Sequence, residues 1–183
     1  DHYVETVAHP FVADVTADGI GDGTDIIEGE PFECPMAPFG GAEQLAWSPD
    51  SKSIAYTCRK KTGVDYATST DSDIYLYDVQ TGKTKNLCKP AGYKPLPYNP
   101  TKTKKDQRLN HQGADYNMGY DTNPQFSPDG KYVAWQSMKR DGYESDRNRL
   151  CVYELLTGEK TYVAEKFDSN VDAFCWAPNS RNL

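Results

Sequence analysis

Trp47-Ser48-Pro49-Asp50-Ser51-Lys52 returns as Phe126-Ser127-Pro128-Asp129-Gly130-Lys131 and once more, altered, as Trp176-Ala177-Pro178-Asn179-Ser180-Arg181. The first two copies continue alike, into Ile54-Ala55-Tyr56 and Val133-Ala134-Trp135. Both then reach a second strand pair closed by Thr-Gly. In the first copy it is Asp73-Ile74-Tyr75-Leu76-Tyr77-Asp78 before Thr81-Gly82, in the second Arg149-Leu150-Cys151-Val152-Tyr153-Glu154 before Thr157-Gly158. A unit written twice decides the architecture, because repeated supersecondary units bury their faces against one another. The phrase itself has a local cause: proline sets φ at the second turn position, aspartate bonds back to the chain, and Gly or Ser permits the reversal. It reads as a hairpin turn rather than a nucleophilic serine, since neither Ser48 nor Ser127 lies in a Gly-x-Ser-x-Gly elbow.

Alternating β-branched and aromatic residues between turn formers predict four strands per unit, near 44–48, 53–59, 73–79 and 83–88, then near 123–127, 132–138, 149–155 and 159–164. Tyr3 to Val7 and Pro10 to Thr16 read as the last two strands of a preceding unit, and Val171 to Trp176 as the first of a following one. No amphipathic helix is expected. Four antiparallel strands in about 40 residues make a β-propeller blade, so the fold class is all-β: an incomplete propeller of two full blades with partial blades at each end. The expected segmentation is a partial blade and connection over 1–43, a full blade over 44–88, a long inter-blade loop over 89–123, a full blade over 124–165, and the start of another over 166–183. Connections in such a blade alternate between two faces. One class is short (Ser48 to Lys52, Gln80 to Lys83, Ser127 to Lys131, Leu156 to Glu159), and the other is long (Lys60 to Ser72, Lys89 to Asn123, Met138 to Asn148). Elaboration therefore gathers on one face, where binding on a rigid scaffold usually resides.

Composition narrows the function classes. A net charge of -7 disfavours nonspecific nucleic-acid binding, and no apolar run approaches the roughly 18 residues of a membrane span. The chain opens on Asp1 without a basic-plus-apolar leader, which points to a processed or truncated polypeptide. Cys34, Cys58, Cys88, Cys151 and Cys175 form no Cys-x-x-Cys pair and are expected as buried free thiols. No cofactor or metal is expected: Asp14 to Gly19 with Asp22 and Asp25 has a faint calcium-loop spacing but reads as an acidic turn. Lys102, Lys104, Lys105 and Arg108, interleaved with Tyr93, Tyr98, Tyr116 and Tyr120, read as part of a gating or domain-contacting loop rather than a nucleic-acid site.

The turn phrase resembles that of TolB-like propellers. Longer stretches resemble the N-terminal propeller of dipeptidyl-peptidase-like and acylaminoacyl-peptidase-like serine peptidases of the prolyl oligopeptidase family. These are Pro38-Phe39-Gly40-Gly41, Ala55-Tyr56-Thr57-Cys58-Arg59-Lys60-Lys61, Ser72 to Asp78, and Met138 through Leu150. The resemblance implies a propeller that gates and orients peptide substrates for a C-terminal α/β-hydrolase domain carrying the Ser, Asp and His triad. That domain is absent from this chain, whose histidines are His2, His9 and His111. The chain alone is expected not to hydrolyse peptides, and the parent is expected to be a periplasmic or secreted serine peptidase. Because family members of the dipeptidyl type hold the substrate's amino group with propeller carboxylates, Glu144 is the first substrate-binding candidate, with Tyr143, Asp141, Asp146, Arg140 and Arg147 beside it. The competing reading has these charges pairing among themselves to order the loop. A second functional reading is a non-catalytic TolB-like propeller that binds a protein partner. Exposed strand edges predict a homo-oligomer.

Overall fold

The computed structural model describes residues 6–38, 40–93 and 117–183. Its body is two four-stranded antiparallel meanders. The first runs β5 (Leu45–Trp47), β6 (Ser53–Cys58), β7 (Asp73–Asp78) and β8 (Thr84–Asn86). The second runs β9 (Asp121–Phe126), β10 (Tyr132–Ser137), β11 (Arg149–Glu154) and β12 (Lys160–Val163). Corresponding strands share one burial pattern, with β6 and β10 buried at all but their first residue and β7 matching β11 position for position. The repeat in sequence is thus a repeat in packing.

Period-2 alternation sorts each strand's side chains to two layers. Ile54, Tyr56 and Cys58 face a segment carrying Ile26, Ile27 and Cys34. Ala55 and Ile74 face the second sheet, where Val133, Trp135, Cys151 and Tyr153 close the core. On the far side of the second sheet, Gln136 donates to the carbonyls of Val171 and Asp172, and Gln125 donates to that of Phe174. Cys34, Cys58, Cys88 and Cys151 are buried free thiols, as their spacing suggested, whereas Cys175 is exposed. Burial pushes the Cys34 thiol up to about 12, so it packs as a small hydrophobe.

The three turn phrases have the same backbone. Ser48 N donates to Ser53 O, Ser127 N to Tyr132 O and Ala177 N to Asn182 O, each at 2.9 Å. The fourth turn residue is left-handed in all three, at φ 59° for Ser51, 71° for Gly130 and 58° for Ser180. Ser48 Oγ donates to Asp50 Oδ1 at 2.7 Å and accepts from the amides of Lys52 and Ser53, and Ser127 does the same with Asp129, Lys131 and Tyr132. Both hydroxyls are consumed by the turn.

Several expectations change. Pro10 to Thr16 is not one strand but two fragments, β1 (Phe11–Val12) and β2 (Val15–Thr16). They pair with β4 (Thr24–Asp25) and β3 (Gly19–Ile20) in a projecting ribbon, because the chain reverses at Ala17-Asp18. Tyr3 to Val7 falls largely outside the described residues, and Val7 is not in a strand. Val171 to Trp176 forms no strand either: side chains hold it, Trp176 stacks on Tyr132 at 6.1 Å, but no neighbouring strand supplies a ladder. The second meander starts at Asp121, earlier than predicted, and the long loop before it falls over 94–116 outside the described residues. A short helix, α1 (Gly63–Thr68), lies inside the connection between β6 and β7, too brief to carry an amphipathic signal.

A polar seam joins the two sheets. Ser72 Oγ donates to Asp121 O and accepts from Asp121 N. Asp121 Oδ1 accepts from Trp135 Nε1 at 2.6 Å and Asn117 Nδ2 at 2.9 Å, while its Oδ2 is buried with no partner among the described residues. Burial pushes this carboxyl up to about 8 and that of Asp71 up to about 6, the latter against the pull of Lys89. A raised carboxyl binds its proton more tightly folded than unfolded. Its contribution to stability is therefore complete below the ordinary value near 4 and is lost as pH rises through the folded value. Unfolding free energy should decline from about pH 4 to about pH 8, with Asp121 alone of these two contributing above about pH 6. Asp121→Asn should flatten that upper part in a denaturant series, and a slope unchanged in the variant would assign the titration elsewhere.

Candidate functional site

The short turns and the long connections lie at opposite ends of the sheets. Gly130 sits against Pro49, and Asp129 N donates to Ser180 Oγ, which gathers the turns. At the other end the β6–β7 connection meets the β10–β11 connection. Asp141 Oδ1 accepts from Ser69 Oγ and Thr70 N, both at 2.7 Å, and Gly142 N donates to Thr70 Oγ1 at 2.7 Å. Between these loops and the segment before β5 opens a cleft of about 1220 Å³.

Four chain segments build its walls, one of them Tyr120, Thr122 and Asn123 at the start of β9. The first carries Glu33, Met36, Gly40, Glu43 and Gln44, kept compact where Gln44 Oε1 accepts from Met36 N at 2.8 Å. Gly40 is required there, since a Cβ would stand 2.5 Å from the Met36 carbonyl oxygen. The second is the end of β6 with α1. Arg59 stacks on Tyr66 at 4.1 Å and donates through Nη1 to Ser69 O at 3.0 Å, leaving its buried Nε without a partner among the described residues. The third is Gly142, Tyr143, Glu144 and Ser145. A smaller groove of about 310 Å³ along β5 and β9 shares Glu43 and Asn123 with the cleft.

The six residues singled out from sequence divide sharply. Tyr143 and Glu144 line the cleft; Asp141, Asp146, Arg140 and Arg147 do not. Arg140 holds Asp146 through its backbone amide, Nε and Nη2, at 3.0, 3.0 and 2.8 Å, and its guanidinium lies 4.1 Å from the Tyr143 ring centroid. The pairing keeps the Asp146 carboxyl below its usual range. Arg147 turns away to Phe167 O and Glu165. Among the described residues, nothing bonds or pairs with the Glu144 carboxylate, so it is available to a ligand cation. With Glu33 and Glu43 it gives the cleft three carboxylates against one guanidinium, a surface suited to an ammonium group flanked by tyrosines.

The run Thr68-Ser69-Thr70-Asp71-Ser72-Asp73 went unnoticed in sequence because a polar string reads as a solvated loop. Ser69 to Asp73 are instead buried, each bonded across the seam or to a lysine: Asp71 to Lys61 and Lys89, Asp73 to Lys89. The signal available was the strand start that follows. The calcium-like spacing does not converge, since Asp25 accepts from His9 Nδ1 at 2.7 Å and from Ile27 N at 2.9 Å while Asp18 sits in the ribbon turn. The one group of metal-type ligands among the described residues is Asp73, Cys88 and Asp121, and there the Lys89 ammonium already sits 2.5 Å from Asp73.

No family model matches the chain. Dipeptidyl-peptidase 5 of Porphyromonas gingivalis is 47% identical to it over all 183 residues, which make up 23% of that protein. The chain resembles a segment of that peptidase. Dipeptidyl-peptidase 5 of Porphyromonas endodontalis is also 47% identical, over 150 residues that are 82% of this chain and 18% of that protein. The chain therefore spans less than a quarter of the length of these curated relatives. The crystal structure of TolB from Acinetobacter baumannii covers 88% of the chain and 28% of its own, at 20% identity and a TM-score of 0.44. The two four-stranded β-meanders have the strand order of blades, and the cleft lies where their long connections meet.

Proposed function

We propose that this chain is a substrate-holding part of the N-terminal propeller of a serine dipeptidyl peptidase, whose bond-breaking residues lie in a C-terminal α/β-hydrolase domain outside it. The observation that carries the reading is the cleft on the long-loop face, with the unengaged Glu144 carboxylate on its wall. The names of the relatives support it, as does the length of those proteins beyond the matched region. A peptide ammonium held at Glu144 would fix the register of the chain relative to the nucleophile, which turns random encounter into positioned attack. The propeller contributes orientation and exclusion; acyl transfer belongs to the other domain. On the same reading the parent is periplasmic or secreted, and copies of the isolated segment associate through open strand edges.

The decisive assay compares chromogenic dipeptides with free and N-acetylated amino ends, using the longer protein. Free-amino substrates should be cleaved, their acetylated counterparts at least about 100-fold more slowly, because acetylation removes the charge the Glu144 carboxylate would pair with. Equal cleavage of both would remove the amine-anchoring role. No cleavage of either would favour the partner-binding propeller.

A further inference from the structure

The cleft's two sides come from different blades, and the side chains of Asp141 and Thr70 tie them. Asp141 Oδ1 receives the Ser69 hydroxyl and the Thr70 amide, while Thr70 Oγ1 donates to Arg140 O at 3.4 Å and accepts from Gly142 N. Ser69 and Thr70 are 7% and 4% exposed, so these bonds are shielded from competing water. Ser69 also carries the carbonyl that anchors Arg59, and α1, just before it, carries Tyr66. Both line the same cleft as Glu144. On the other blade, residues 140–146 form a self-contained turn closed by Arg140 and Asp146, with Tyr143 packed under the guanidinium. A turn braced within itself and bonded to the neighbouring loop through Asp141 and Thr70 is placed by those bonds.

We infer that Asp141 is a positioning residue, a latch between blades that sets the distance from Glu144 to the Arg59–Tyr66 wall and thereby the fit of the peptide's amino end. The inference rests on the amine-binding reading of the cleft. Both latch bonds run to the same oxygen, Oδ1, and both are accepted rather than donated. The latch therefore needs an acceptor, not a charge. An asparagine oriented with its oxygen toward Ser69 can serve, whereas a carboxylate that bound the substrate ammonium directly could not be replaced in that way.

The test is steady-state kinetics of the longer protein on a free-amino dipeptide substrate. Asp141→Ala should raise KM about tenfold with kcat changed less than about threefold, the signature of a displaced binding wall rather than lost chemistry. Asp141→Asn should bring KM back to within about twofold of the starting protein. Ser69→Ala, which removes one of two donors, should fall between them, and it keeps the test open if Asp141→Ala does not fold. Unchanged KM in both Asp141→Ala and Ser69→Ala would overturn the latch. So would an Asp141→Asn variant as impaired as the alanine, which would make Asp141 a charge partner of substrate. Glu144→Ala separates the two readings: if it leaves KM unchanged while Asp141→Ala raises it, the amine anchor fails and the inter-blade latch stands.

Discussion

Replacing Lys89 with methionine should destabilise the chain by about 3–5 kcal/mol, the range for removing one partner from a buried ion pair. The Lys89 side chain is only 4% exposed, and its ammonium donates to Asp71 Oδ1 at 2.8 Å, Asp73 Oδ1 at 2.5 Å and Asn117 O at 2.7 Å. Burial by itself would pull the lysine down, but the carboxylates of Asp73 and Asp71 outweigh it and hold the group above its usual range. Methionine fills similar volume, so the loss is electrostatic rather than a cavity. At neutral pH the variant must bury two carboxylates beside one remaining lysine, Lys61, which reaches Asp71 at 3.0 Å but has no contact with Asp73 among the described residues. Calorimetry should show Tm falling on the order of 10 °C for a chain of this size. The loss should shrink as pH falls below about 6, where Asp71 protonates. A Tm within about 2 °C of the unsubstituted chain would mean the seam is held by its neutral bonds alone.

The second large effect is on activity. Glu144→Ala in the longer protein should lower kcat/KM on free-amino dipeptide substrates about 100-fold, the scale of a lost charge-assisted bond in a site closed by substrate. Glu144→Gln should lie between, because it keeps an acceptor and loses the charge. Stability should shift by less than about 0.5 kcal/mol, since Glu144 is exposed and bonded to no described residue. That separation of activity from stability is the informative outcome. An unchanged kcat/KM would end Glu144's part in recognition.

These two positions differ in how far sequence could reach them. Glu144 was legible because it stands in a long connection whose place on one face follows from counting strands between repeats. Lys89 was not: it opens a polar insertion, and its partner Asp71 lies in a Ser-Thr-Asp string with every local mark of a solvated loop, while Asp73 opens the strand that follows. What buries them is the approach of the second sheet, whose Ser72–Asp121 and Lys89–Asn117 bonds cross between units. Asp141 shows the same limit from the other side. It was grouped with Glu144 by proximity in the chain, yet the two side chains serve different surfaces, one facing the neighbouring blade and one the cleft.

The repeat, the turn chemistry, the order of strands within each blade and the face carrying the long loops all follow from the sequence, because each rests on local periodicity and backbone preference within a few residues. The short ribbon near the start escaped it, since fragments of two residues carry no period. Only the tertiary structure decided which polar residues are buried and which of the six loop residues meets the cleft. Burial and hydrogen-bond pairing between units depend on distances that separate residues some 70 positions apart in the chain, and no local pattern encodes them.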